Sequence, residues 1–152
     1  MTDLDLEFEH IYLEARAERW HQIERFLFSY FCYREGYLSN KGNPDWEKAR
    51  ASSPRSLQVE SLSQSDLEPV VPLKVVVGEI KRYVRDGELT PTKLKRVLDC
   101  LLHYKTISKA QKQALKKAGL QSAMPASWYR SEEKDPYLRF KLQGIIVQET
   151  PE

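Results

Sequence analysis

Residues 90–119 read TPTKLKRVLDCLLHYKTISKAQKQALKKAG, and this stretch decides the fold class. Thr90 followed by Pro91 is an N-cap with proline at the first helical position, where the missing N–H has no intrahelical role and the ring presets φ. Leu94, Val97, Leu98, Leu101 and Leu102 then recur at spacings of three and four, the period of an amphipathic helix. Ser108 repeats the capping signal. Ala110, Ala114, Leu115 and Ala118 supply a second apolar face, and Gly119 ends it.

The same grammar extends upstream. Pro72 suits a helix start, and Leu73, Val76, Val77, Ile80 and Val84 share one face before Asp86-Gly87 closes the segment. Three β-branched residues in a row (Val75, Val76, Val77) followed by Gly78 leave a strand as the alternative there. Residues 72–120 are thus expected to form a helical segment. Residues 1–35 read as one long, acidic, aromatic-rich helix. Phe8, Ile11 or Tyr12, Ala15, Ile23, Phe26 or Leu27, and Tyr30 or Phe31 mark its face, no proline or glycine interrupts it, and Gly36 is its stop. Trp20, Phe26, Phe28, Tyr30, Phe31 and Tyr33 make that face too wide for a surface helix, so it should be covered on more than one side.

Residues 36–71 are punctuated by Gly36, Gly42, Pro44, Pro54 and Pro69 and read as an irregular linker. A short helix around Trp46 and an edge strand over 56–62 are the exceptions. In residues 121–152, Pro125 and Pro136 bound a turn region, and the alternation of Leu138, Phe140 and Leu142 before Ile145, Ile146 and Val147 marks a C-terminal strand. The expected fold is mainly α: one compact domain over 1–152, with four or five helices and room for a small C-terminal β element paired to residues 57–62.

The chain has 152 residues, 41% hydrophobic and 30% charged, which excludes wholesale disorder and leaves enough apolar surface for a core. No apolar run approaches the ~18–20 residues of a membrane helix, so no membrane partner is expected. Asp3, Asp5, Glu7 and Glu9 occupy the place where a secretory leader would be basic and then apolar. Cys32 and Cys100 make no disulfide framework, and the expected compartment is the cytoplasm.

The net charge of +2 conceals an asymmetry. Residues 1–70 hold 8 basic and 13 acidic side chains, a net of −5, whereas residues 81–117 hold 11 basic and 3 acidic, a net of +8. Lys109, Lys112 and Lys116 fall at i, i+3 and i+7 on one helical face. With Lys93, Arg96 and Lys105 they are the candidate phosphate contacts of a nucleic-acid-binding surface, RNA slightly ahead of DNA. The competing reading is that these cations are solvated, or pair with the acidic N-terminal helix. A protein partner or a second copy of the chain is the other class of ligand, with Trp128 and Tyr129, near Arg130 and Arg139, as its candidate contacts.

Residues 91–105, the connection 105–108 and residues 109–118 resemble a helix-turn-helix in outline, although only Gln111 and Gln113 supply amides for base edges. In the order of their features, Pro72-Leu73-Lys74, Lys93-Leu94-Lys95-Arg96-Val97-Leu98 and Lys116-Lys117-Ala118-Gly119 resemble the FinO/ProQ-type RNA-binding domains. The spacing before Ala118-Gly119 is stretched, and residues 120–128 hold no counterpart of the family's Arg-x-Asp-Leu-x-Gly signature, so membership does not follow. The resemblance implies RNA binding.

Catalysis has weaker support, and a non-enzymatic role is expected. Arg16 to His21 and Arg96 to His103 have the spacing of HEPN-type ribonucleases, in which a His acts as base toward a ribose hydroxyl and an Arg steadies the phosphate. Glu7-x-x-His10 and Glu18-x-x-His21 have di-iron spacing without the further carboxylates such sites need. No metal and no cofactor is expected.

Overall fold

The computed structural model describes residues 1–148. Residues 1–35 form two helices, α1 (Asp3–Arg16) and α2 (Trp20–Glu35), packed side by side. This corrects the single long helix. The break is a Schellman motif built without glycine. Glu18 takes the left-handed conformation at φ 55°, its N–H reaches the Ala15 carbonyl at 3.1 Å, and the Arg19 N–H reaches Glu14 at 2.9 Å. Thr2 starts α1 with a capping box to Asp5, and Gly36, at φ 80°, ends α2 as its spacing suggests.

The aromatic face of α2 is covered on several sides. Phe8 of α1 approaches Tyr30 at 6.3 Å between ring centroids. Phe28 meets Trp46 at 5.6 Å, where α3 (Trp46–Ser52) crosses, and Phe31 meets Tyr104 at 4.5 Å. Residues 73–85 are helix α4 (Leu73–Arg85), not a strand, with Val75, Val76, Val77 and Ile80 buried. Its neighbour is α5 (Pro91–Leu101), capped by Thr90 with Pro91 at its first turn. Arg34 of α2 donates to the carbonyls of Leu98 and Leu102, supplying partners to groups that the end of α5 leaves open.

The small sheet lies elsewhere than expected. Strands β1 (Ser65–Pro69) and β2 (Tyr104–Ser108) pair antiparallel, Leu67 opposite Thr106 and Glu68 opposite Lys105. β1 falls in the segment read as linker, and β2 in the segment read as the tail of a helix and its turn. Alternation sends Tyr104 to the aromatic core of α2 and Lys105 and Ile107 to the other face. That second face is covered by α6 (Lys109–Lys117) and α8 (Leu138–Leu142), around Val70, Ile107, Leu115, Phe140 and Ile145.

Residues 138–142 are therefore helix rather than strand; their apolar residues serve the core at Phe140 and leave Leu142 exposed. Pairing of the C-terminal segment with the mid-chain does occur, one residue before the expected range: Ser56 bridges Val147, and Leu57 N–H donates to Ile146. The whole is α+β, with eight α-helices among the described residues. Five of them reach nine residues or more, the rest being α3, α7 (Ala126–Arg130) and α8. No described helix is long and apolar enough to cross a membrane.

Candidate nucleic-acid interface

α6 is built outward from its cap. The Ser108 hydroxyl accepts from Gln111 N–H at 3.1 Å, and the Gln111 side-chain oxygen accepts from Ser108 N–H at 2.9 Å. The same oxygen accepts from the Ser56 hydroxyl at 2.6 Å, and the Gln111 amide donates to Gln58. Gln111 is only 8% exposed, so it fastens the helix to residues 56–58 and is not a base-reading amide. With Gln111 and Leu115 turned inward, Lys109, Gln113, Lys116 and Lys117 are left on the exposed surface.

The six candidate cations separate into two groups. Lys112 is drawn toward β1, with Asp66 at 3.9 Å and Glu68 at 4.0 Å. Lys105 stands opposite Glu68 in the ladder. Lys93 reaches Glu88 at 3.7 Å. Lys112 and Lys93 are thus paired with carboxylates, and Lys105 has a glutamate as its ladder neighbour. Arg96, Lys109 and Lys116 are exposed and make no ion pair among the described residues. Helix α5 otherwise neutralises itself, with Lys95 on Asp99 at 3.1 Å.

The acidic N-terminal helices do not quench this surface. Their ion pairs are local: Glu7 with His10, Glu14 with Arg19, and Glu35 with Arg34. Among the described residues no ion pair joins residues 1–35 to residues 81–117. Desolvation on the α2-facing side raises the Glu7 carboxyl above its ordinary pKa.

The residues expected to meet a partner behave differently from one another. Trp128 is 0% exposed, and its indole N–H donates to the Asp135 carbonyl at 2.9 Å. It anchors the core and offers no ring to a partner. Arg139 is likewise fully buried, held by Glu68 and by the carbonyls of Val70 and Leu120. Tyr129, at 47% exposed, and its neighbour Arg130 do present a surface.

The helix-turn-helix outline is not realised, because residues 104–108 form a strand fixed to β1 and hold α5 and α6 apart. Glu18 and His21 flank the break between α1 and α2 and do not share a helix. No cluster of metal ligands occurs among the described residues. His103 lies beyond the end of α5, its Nε2 at 2.8 Å from the Asp99 carbonyl, and burial together with nearby Arg34 lowers its pKa.

Sequence reading passed over α4. A cleft of about 340 Å³ lies between it and the start of α2, lined by Trp20, His21, Glu24, Lys74, Val77 and Lys81. Trp20, His21 and Glu24 lie fifty or more positions from Lys74, Val77 and Lys81 and share no motif with them, so only the packing of α2 on α4 brings the two sets together. Compared with known proteins, the chain matches no family model, no curated sequence and no solved structure.

Proposed function

We propose that this protein binds nucleic acid, RNA ahead of DNA, through phosphate contacts from α5 and α6. One observation carries the reading: the basic surplus of residues 81–117 is not neutralised by the acidic front, and Arg96, Lys109, Lys116 and Lys117 stay exposed and without ion pairs among the described residues. Cations in this state release counterions when they meet phosphates, a driving force that weakens steeply with salt. With Gln111 buried, the surface is suited to shape and backbone rather than to base edges.

Titration with random RNA and DNA duplexes between ~50 and 200 mM salt tests the proposal. Affinity should fall with a linear log–log slope, and Lys109→Ala with Lys116→Ala should each reduce that slope by about one. Absence of binding at low salt, or a slope of zero, overturns it.

A protein-interaction role is the second reading. Leu57, Leu142 and Ile146 are each more than half exposed, and Leu57 is joined to Ile146 by a backbone hydrogen bond. Scattering that shows a concentration-dependent oligomer dissolved by Leu142→Lys would favour it.

A further inference from the structure

Helix α4 carries a glycine that its own fold does not use. Gly78 sits in the interior of Leu73–Arg85, where glycine weakens a helix relative to alanine. Its backbone is helical, and a Cβ placed on it meets no heavy atom within 4 Å. Neither conformation nor packing within the chain asks for a missing side chain. Gly78 instead lines a cleft of about 290 Å³ with Lys74, Glu79, Ser122 and Tyr129. On the other flank of the same helix lies the cleft walled by Trp20. Lys74 lines both, and the exposed face of α4 between the two clefts carries Lys74, Gly78 and Lys81 at i, i+4 and i+7.

Each cleft has one aromatic wall, Trp20 on one flank and Tyr129 on the other, and the exposed face between them is basic. Lys81 Nζ lies 5.5 Å from the centre of the Trp20 ring. Tyr129 is held without being covered: its phenol oxygen accepts from Met124 N–H at 3.1 Å, and its ring meets Trp128 edge-on at 5.3 Å. Glu79 is neutralised by Arg82 at 2.8 Å and Lys134 at 4.0 Å. Lys74 and Lys81 have no ion-pair partner among the described residues, and Glu24 at the rim is the one lining carboxylate left unpaired among them. Cations therefore prevail, and the ligand they suit is an anion that also presents flat apolar faces.

We infer that the two clefts act together as one trough that binds a single-stranded stretch of nucleic acid, its backbone passing over Gly78 between the ammonium groups of Lys74 and Lys81, with unpaired bases stacked on Trp20 and Tyr129. A basic groove combined with aromatic platforms is the arrangement that holds unpaired strands, because every base has a π face and a duplex hides it. Glycine on the floor allows the backbone to approach closely. A base arriving at the indole displaces the Lys81 ammonium from the ring toward the phosphate that the base brings with it. The inference rests on the nucleic-acid reading above and deepens it by naming unpaired nucleotides, yet it uses none of the residues assigned to α5 and α6.

Fluorescence anisotropy of an end-labelled oligouridylate at low salt, beside an RNA duplex of similar length, tests it. Gly78→Gln fills the trough and removes a helix-weakening residue. The thermal midpoint should rise while oligouridylate affinity falls about tenfold or more, and duplex affinity should stay unchanged. Trp20→Ala and Tyr129→Ala should each lower oligouridylate affinity by about fivefold to a hundredfold. Unchanged or tighter oligouridylate binding by Gly78→Gln overturns the inference, and so does native protein that binds the duplex but not the oligouridylate. Native protein that binds neither overturns the nucleic-acid reading itself.

Discussion

Arg139→Met should cost this protein a large part of its stability. The guanidinium is 0% exposed and every arm is engaged. Nε donates to the Val70 carbonyl at 3.0 Å, Nη1 to Leu120 at 2.8 Å, and Nη2 to Glu68 at 2.9 Å and to Pro69. Burial lowers the Arg139 pKa and Glu68 opposes the shift, but an arginine remains charged at neutral pH. Methionine keeps the bulk of the stem while removing the charge and all the donors. Glu68, 8% exposed, would retain Lys112 at 4.0 Å as its ion-pair partner among the described residues, and three carbonyls would lose a donor. Breaking a buried pair from one side costs about 3–5 kcal/mol, a large share of the ~5–15 kcal/mol that holds a domain together. Urea unfolding at neutral pH should show a lower midpoint with an unchanged slope. Adding Glu68→Leu to Arg139→Met should restore part of the loss, because the stranded carboxylate is then gone. A loss below about 1 kcal/mol in the single variant, or a double variant worse than the sum of the singles, refutes the reasoning.

Substitutions at three further positions test the fold. Glu18→Gly should stabilise by about 0.5–1 kcal/mol, since a non-glycine residue pays about 1–2 kcal/mol for the left-handed conformation and glycine gives back part of that in chain entropy; a lowered thermal midpoint would contradict the break described at Glu18. Ser108→Ala should destabilise by about 1 kcal/mol through loss of the α6 cap, and Ser108→Gly by only a few tenths, as denaturant unfolding would show. His103 contributes a pH dependence of known sign. Its folded pKa lies below the ordinary histidine value, so the unfolded chain takes up the proton first. Stability is therefore retained above about pH 6.5 and lost as the pH falls from there through the folded pKa. In thermal melts from about pH 7 down to 5, the native chain should lose more stability than His103→Gln; parallel curves would remove His103 from the account.

What the sequence disclosed and what it hid have physical causes. The caps at Thr90 and Ser108 were legible because a hydroxyl before a periodic run has few other uses, and both hydroxyls accept the N–H expected of them. The α1–α2 break was not, because the residue that signals a left-handed terminator is normally glycine or asparagine, and here Glu18 adopts that conformation. Strands β1 and β2 are five residues each, and both carry charged or polar side chains at positions that packing makes favourable. Glu68 is buried only because Arg139 arrives from seventy-one residues away. Alternation over 138–142 indicated a strand, yet one turn of helix suffices to bury Phe140 there. Arg96, Lys109 and Lys116 were legible as exposed cations because their helices were. The two clefts beside α4 were not, since nothing in the sequence announces that Trp20 and Tyr129 come to opposite flanks of that helix.

The charge asymmetry survives folding because pairing is local. Within residues 81–117, Asp86, Glu88 and Asp99 are taken by Arg85, Lys93 and Lys95, and Arg82 borrows Glu79. Asp66 and Glu68 of β1 balance Lys112, and Lys105 stands opposite Glu68 in the ladder. Lys81, Arg96, Lys109, Lys116 and Lys117 remain, exposed and without ion pairs among the described residues. Lys112 ties α6 to β1, but among the described residues no ion pair joins residues 1–35 to residues 81–117, so the carboxylates of α1 and the ammonium groups of α6 act as separate poles. A bipolar surface attracts nucleic acid, but it also attracts a second copy of itself, and both attractions weaken with salt. Salt dependence therefore cannot by itself distinguish the two. Concentration dependence without nucleic acid can: self-association through opposite poles raises the apparent mass in low-salt scattering as protein is added, and Asp3→Lys with Glu9→Lys abolishes it. Phosphate binding by α5 and α6 predicts no mass increase without nucleic acid, and those two α1 substitutions should strengthen duplex affinity, since they remove carboxylates and add cations.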